Sequence, residues 1–303
     1  MTTSTRGGIP GAVAPPEERT PRPVRGRSHS VGDPHAQPWI YVVLTGGLLL
    51  LVGPFLWMLL GSFRPDRELK RAPLSWLPET WTLENYRTLF DRLDFPTFFV
   101  NSTVVSLSIT VGNLVFCSML GYAFAKLDFP GKRAMFVVVL ATLMVPGVVL
   151  FVPLFVLVSN LGMTNSFAGL IFPFLAQPVG VFLMRQFMLS LPDELIQAAR
   201  VDGAGEFRIF RSVIMPLCKP ALATLGILTF LTHWNNFLWP LVVAQSEDKY
   251  TLPVALAIYS IGENESNYGL LMAGSVVIIL PVLAVFLVMQ RHFVRGIAMT
   301  GIK

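Results

Sequence analysis

The sequence predicts an all-α fold that crosses a membrane six times. Three observations carry this: too little charge for a water-facing surface, six apolar windows of spanning length, and basic residues concentrated in alternate segments between those windows. Of 303 residues, 53% are hydrophobic and only 14% charged, and the mean hydropathy is +0.61. A soluble domain carries about 25% charged residues, so the composition points to lipid as the solvent.

Residues 1–38 are rich in Pro, Gly, Ser and Arg and almost devoid of large apolar side chains. Such a segment buries too little surface to offset its ordering entropy and reads as a disordered tail. The apolar stretch behind it has no small-residue cleavage site and reads as a retained anchor. A spanning helix needs about 20 apolar residues. The windows that qualify are Pro38–Leu60, Thr103–Ala125, Ala134–Val158, Phe167–Met184, Ala221–Val243 and Leu270–Gln290. Several hold proline (Pro54, Pro146, Pro153, Pro173, Pro178, Pro240, Pro281), which membranes tolerate because neighbouring helices re-satisfy the freed backbone groups. The fourth window is the shortest and is interrupted by Gln177-Pro178.

Lysine and arginine set the orientation. With the tail inside, the inside segments hold 16 basic and eight acidic residues, and the outside segments seven and ten. The positive charge therefore marks topology, with both termini cytoplasmic, and not a nucleic-acid partner. The first outside loop, about Gly61–Phe98, mixes both signs around Trp76, Trp81 and Tyr86. The second, Ala244–Gly269, is acidic. Cys117 and Cys218 form no CxxC or Cys/His cluster and read as packing residues, with no metal site.

The longest inside loop, Arg185–Met215, is the unusual one. Ser190 with Asp193 three residues on reads as a capping-box-like start, with Pro192 in the first turn. The helix runs to about Val201, and Gly203 stands where a left-handed C-terminal residue is wanted. A second short helix, about Glu206–Val213, leads to Met215-Pro216. Leu195 and Ile196 offer apolar anchors, Ala198 and Ala199 permit close approach, and Arg200 and Asp202 can fix register. Two uses fit: a short helix laid in a partner's groove, or an amphipathic loop lying on lipid headgroups.

Gln197-Ala198-Ala199-Arg200-Val201-Asp202-Gly203-Ala204, followed by Val213-Ile214-Met215-Pro216, resembles the EAA motif of bacterial ABC importer permeases. The glycine and proline spacings match. Gln197, Val213 and Met215 replace the motif's glutamate, isoleucine and leucine, so one charged contact of the family is missing here. His233-Trp234-Asn235-Asn236-Phe237-Leu238-Trp239-Pro240-Leu241, Lys249-Tyr250-Thr251-Leu252-Pro253-Val254, Leu83-Glu84-Asn85-Tyr86 and Gly121-Tyr122-Ala123-Phe124-Ala125 resemble the second permease of maltose-type carbohydrate importers.

The resemblance implies a type I ABC importer permease fold. It divides the chain into the tail at 1–38, a first helix and outside loop at 39–98, an ABC transmembrane type-1 domain at 99–291 holding the loop 190–216, and a C-terminus at 292–303. It implies a permease subunit of an ATP-driven di- or oligosaccharide importer in the bacterial cell membrane. Its partners are a homologous permease, two ATP-binding subunits, an extracytoplasmic sugar-binding protein and membrane lipid. Leu195, Gln197, Ala198, Ala199, Asp202, Gly203 and Pro216 fall where the ATPase docks.

The chain has no Gly-x-x-x-x-Gly-Lys-Ser/Thr loop, Gly131-Lys132-Arg133 being the nearest approach. No cofactor is expected on it, and ATP belongs to the partner ATPase. Almost no carboxylates lie in the windows, unlike a proton-coupled carrier, and there is no catalytic cluster, so no enzyme activity is expected. Asn113, Gln177, His233, Trp234, Asn235 and Asn236 are the candidates for a sugar pathway. They serve equally as bonds between helices or as an interfacial belt. The alternatives are a permease for another solute, such as a glycerol-phosphate, and a membrane scaffold.

Overall fold

The computed structural model describes residues 2–3, 38–71, 76–261 and 266–300. All but three residues of the expected 1–38 tail, and the last three of the expected C-terminus, lie outside the described residues. Among the described residues the regular structure is helical, and the one extended pairing is an isolated bridge between Ile261 and Ser266.

Two compact units meet at Leu51–Val52, inside the first helix, α1 (Pro38–Ser62). The described part of the first unit is chiefly the leading half of α1. It carries no charge, and its Leu50 is 78% exposed. An uncharged, outward-facing apolar helix fits a lipid solvent, where every backbone group must be satisfied within the segment.

The second unit begins with the end of α1, followed by α2 (Asp66–Leu69) and α3 (Glu84–Arg87), which continues into a π-helical turn at Thr88–Arg92. The 32-residue α4 (Phe95–Lys126) is central and packs against both α8 (Pro178–Leu189) and α12 (Lys219–Trp234). Glycines allow the closest approach. A Cβ at Gly121 would stand 2.7 Å from Met184 Cβ and 3.0 Å from the Arg185 backbone nitrogen. One at Gly180 would stand 2.7 Å from Cys117 Sγ. With lipid tails as apolar as leucine, small residues at the seam are what permit tight helix packing. Both cysteines are free and buried, as packing residues should be.

Four helical stretches are long and apolar enough to cross a membrane, and six do so if each of two bent pairs is one span. The third span expected from the sequence is bent: α5 (Lys132–Met144) and α6 (Gly147–Asn160) meet at 106°. Pro146 is the cause: it disfavours the helical region at Val145, which sits at φ −84°, ψ 120°. The fourth span, Phe167–Leu189, is made of α7 (Phe167–Ile171), a 3₁₀ turn at Phe172–Phe174 and α8, with Gln177 extended before Pro178. Between α8 and α12 lie α9 (Glu194–Val201), α10 (Glu206–Ile209), a π-helical turn at Phe210–Ile214 and α11 (Met215–Leu217). The segment Glu206–Leu217 meets α12 at 80°. The chain closes with α13 (Leu238–Val243), α14 (Leu252–Ser260) and α15 (Tyr268–Thr300).

The second span begins at Phe95, eight residues before the expected Thr103. Polar Asn101 and Ser102 lower the hydropathy there, but both are buried in protein. Asn101 Nδ2 donates to Asp248 O (3.0 Å) and Tyr250 O (2.9 Å), and Ser102 Oγ accepts from Leu252 N (2.7 Å).

Candidate functional site

The candidate side chains fall in two groups: the loop 190–216 and a polar cluster in the middle of the bundle.

The loop is built on the end of α8. Ser190 is not the N-cap expected of it: it ends α8, its hydroxyl donating to Phe187 O (2.7 Å). Helix α9 starts at Glu194, with Asp193 before it and no side-chain cap. It ends at Val201 in a Schellman motif. Gly203 N donates to Arg200 O (3.0 Å) and Ala204 N to Ala199 O (2.9 Å), with Gly203 at φ +76°. Ile196 is turned into the chain's own core at 3% exposure, so it is no anchor for a partner. Leu195, Gln197, Ala198, Asp202, Gly203 and Pro216 are exposed, and Ala199 is half-buried. Val201 and Phe207, which the sequence reading passed over, extend the apolar surface at 87% and 69% exposure.

Both ends of α9 are clamped to one face of α4. Lys126 Nζ reaches across its N-terminus to Leu191 O (2.7 Å) and Asp193 Oδ1 (2.6 Å). One turn back, Tyr122 OH donates to Glu206 Oε2 (2.7 Å), and Glu206 Oε1 receives Arg200 Nε (2.9 Å) beyond the C-terminus. Arg200 therefore fixes register within the loop. Spacing of four residues puts Tyr122 and Lys126 on one side of the helix. That spacing was readable in the sequence; the partners 65 to 84 residues away were not.

Hydrogen bonding to Lys126, and then its charge, hold the Asp193 carboxyl below the usual carboxylate range. A depressed pKa stabilises above the ordinary aspartate value, about 3.9, and the effect is lost as pH falls through the folded-state value. Lys126→Met and Tyr122→Phe are each expected to loosen α9 without unfolding the bundle. Hydrogen exchange of α9 amides should quicken measurably in each variant. Unchanged protection in both variants would refute the clamp.

The second cluster surrounds the break in the fourth span. Asn113 is fully buried on α4. Its Nδ2 donates to Ile109 O (3.0 Å) and Phe174 O (2.6 Å), and its Oδ1 accepts from Gln177 N (3.1 Å). Gln177 Nε2 lies 2.7 Å from His233 Nε2, and the His233 ring lies 5.2 Å from that of Phe174. Trp234 is 2% exposed, stacked on Phe230, and its indole N–H donates to Ile278 O (3.0 Å). Asn235 is exposed and bonds its own helix at Leu231 O, while Asn236 Oδ1 accepts from Trp239 N. Asn113, Gln177 and His233 thus form one chain; Trp234, Asn235 and Asn236 are held elsewhere around the end of α12. No group of three or more His, Cys, Asp or Glu side chains suited to a metal occurs among the described residues.

Broken apolar helices around a buried polar seam, with a clamped short-helix loop at one end, define a multi-pass membrane protein. The chain belongs to the family described as "binding-protein-dependent transport system inner membrane component", which matches residues 117–299. It is 42% identical over 257 residues to the arabinooligosaccharides transport system permease protein of Halalkalibacterium halodurans, covering 84% of this chain and 92% of the relative. It is 34% identical to the diacetylchitobiose uptake system permease protein of Streptomyces coelicolor, covering 82% and 83%. Its fold is that of an ABC importer permease. A solved bacterial ABC transporter involved in the import of the acidic polysaccharide alginate aligns with TM-score 0.75 at 26% identity, covering 84% of this chain and 96% of that one.

Proposed function

We propose that this chain is a permease subunit of an ATP-driven importer for a di- or oligosaccharide. It forms the pathway with a homologous partner permease. Two ATPase subunits sit beneath the loop 190–216, and an extracytoplasmic binding protein delivers solute from the opposite face. The carrying observation is 42% identity to an arabinooligosaccharide permease over 84% of this chain and 92% of that one. The density of lysine and arginine supports a cytoplasmic loop and cytoplasmic termini.

In this reading the ATPase grips the exposed surface of Leu195, Gln197, Ala198, Asp202, Gly203 and Pro216, with Ala199 behind it. Val201 and Phe207 add apolar area at the same surface. Gln197 makes a neutral contact. ATP is held by the partner, and this chain binds no cofactor of its own. The energy of ATP binding acts by favouring one of two states of the bundle, which requires a differential contact with the loop. Gln177, His233, Asn235 and Asn236 are the polar groups we assign to the sugar pathway, with Asn113 and Trp234 supporting them.

The test is uptake of labelled saccharides in a strain lacking the gene, with and without its restoration. Arabinotriose, diacetylchitobiose, oligoalginate and glycerol 3-phosphate make the panel. Loss and rescue of one saccharide supports the proposal. Loss and rescue of glycerol 3-phosphate alone, or of nothing, overturns the sugar assignment.

A further inference from the structure

The 32 residues of α4 separate the loop 190–216 from the segment 63–94 by roughly 48 Å, at 1.5 Å per residue. That far end holds a cleft of about 840 Å³, within the 300–1,000 Å³ usual for small-molecule sites. Phe63, Trp81 and Leu83 supply its apolar wall; Thr82, Glu84, Arg87, Thr88 and Asp91 are its polar residues.

The polar wall is one helical face. Glu84, Arg87, Thr88 and Asp91 recur at the i, i+3, i+4, i+7 spacing that aligns side chains, along α3 and the π-helical turn that follows it. Such turns are rare and recur at functional sites. Glu84 and Arg87, and Arg87 and Asp91, stand at ion-pair spacing, yet no ion pair joins the three to one another. Their donors and acceptors are open to a ligand.

The other wall is aromatic and held in place. Trp81 is 64% exposed, with its ring centroid 6.0 Å from that of Phe63. Thr82 N donates to Phe63 O (2.8 Å), fixing that segment beside the end of α1. Beneath, the buried Asn85 amide donates to Ser62 O (2.9 Å) and Arg64 O (2.7 Å), fastening α3 to the same turn.

We infer that this cleft is a saccharide-binding site at the outer mouth of the permease, selective for neutral over anionic sugars. The assignment rests on the importer reading above. A sugar ring presents an apolar face to an aromatic side chain and a rim of hydroxyls to carboxylates and a guanidinium. Two carboxylates against one guanidinium leave the lining net negative, which disfavours phosphate or uronate. Its role is to hold solute at the entrance after release and before the spans admit it.

The experiment is calorimetric titration of the full chain with its partner permease, in lipid nanodiscs without ATP or binding protein. The probes are arabinotriose and glycerol 3-phosphate. Arabinotriose should bind saturably, about tenfold more weakly in Trp81→Ala and several-fold more weakly in Arg87→Ala. Glycerol 3-phosphate should not bind. Trp81 is exposed, so its removal should leave the gel-filtration profile unchanged, and Arg87→Ala provides an independent reading. Affinity unchanged in both variants, tight glycerol 3-phosphate binding, or no binding to a permease whose cells import the sugar would each overturn the cleft alone. Cells that import no saccharide through this chain would overturn the importer reading first.

Discussion

Replacing Gly203 by proline is expected to lower solute uptake by more than about tenfold while leaving the chain inserted in the membrane. Gly203 stands at φ +76° and donates its N–H to Arg200 O. Proline fixes φ near −65° and has no N–H, so it removes both features together, at about 3 kcal/mol or more. It also restricts Asp202, the residue that caps α9 at φ −74°, ψ 7°. The Schellman turn would then open. The Ala204 N to Ala199 O bond would go with it, and the surface that follows α9 would lose its angle to α10.

Space is not the constraint here. A Cβ at Gly203 would meet nothing within 4 Å. The expected order of uptake is therefore glycine, then asparagine, which tolerates left-handed backbone, then alanine, at roughly 1–2 kcal/mol, then proline. Quantitative uptake at matched membrane abundance measures the series. A proline variant that transports like the natural chain would remove the loop from the mechanism. An order set by side-chain size would show that a partner's surface, and not the backbone angle, is limiting.

Hydropathy made the spans legible because lipid leaves a helix no other way to satisfy its backbone. The first window, Pro38–Leu60, falls two residues short of the end of α1, and the predicted end of α9 at Val201 coincides with the observed one. What was not legible has a common cause: polar side chains whose partners lie far away in sequence. Asn101 and Ser102 look like a span boundary until the 248–252 segment is placed against them. Ser190 looks like a helix start because its spacing to Asp193 suits one, but a hydroxyl can equally bond backward into the helix it ends. Pro146 was visible, yet the composition of the window gave no means of telling a tolerated proline, as Pro54 is within α1, from one that turns the chain by 106°.

These polar residues share a function in the fold. Along α4, Asn101 and Ser102 hold the segment 248–252, Asn113 holds the break at 174–177, and Tyr122 and Lys126 hold the loop 190–206. Each irregular stretch is a place where backbone groups lack helical partners, and each is satisfied from the same helix. One element thus touches both ends of the bundle and its broken middle. The loop and the break are thus joined by one continuous helix, Phe95–Lys126.

Asn113→Leu tests the middle of that spine and is expected to destabilise the chain by about 2–4 kcal/mol. Leucine keeps the branched shape with bulkier methyl groups but neither donates nor accepts. Phe174 C=O and Gln177 N–H, just before Pro178, would be left unpaired in a partly buried setting. Each such group costs about 1–3 kcal/mol, whereas the pair it replaces is worth less when formed. The comparison variant is Gln177→Ala, which removes the side-chain bond to His233 and keeps the backbone N–H that Asn113 receives. Side-chain bonds between membrane helices average only about 0.6 kcal/mol, so this variant should be nearly as stable as the natural chain. Thermal unfolding in detergent, followed by loss of the monodisperse species, separates the two. A large loss in Asn113→Leu with little in Gln177→Ala assigns Asn113 to holding the break. Equal stability with altered solute preference in Asn113→Leu would instead put its amide in the pathway, and the break in the fourth span would then need another support.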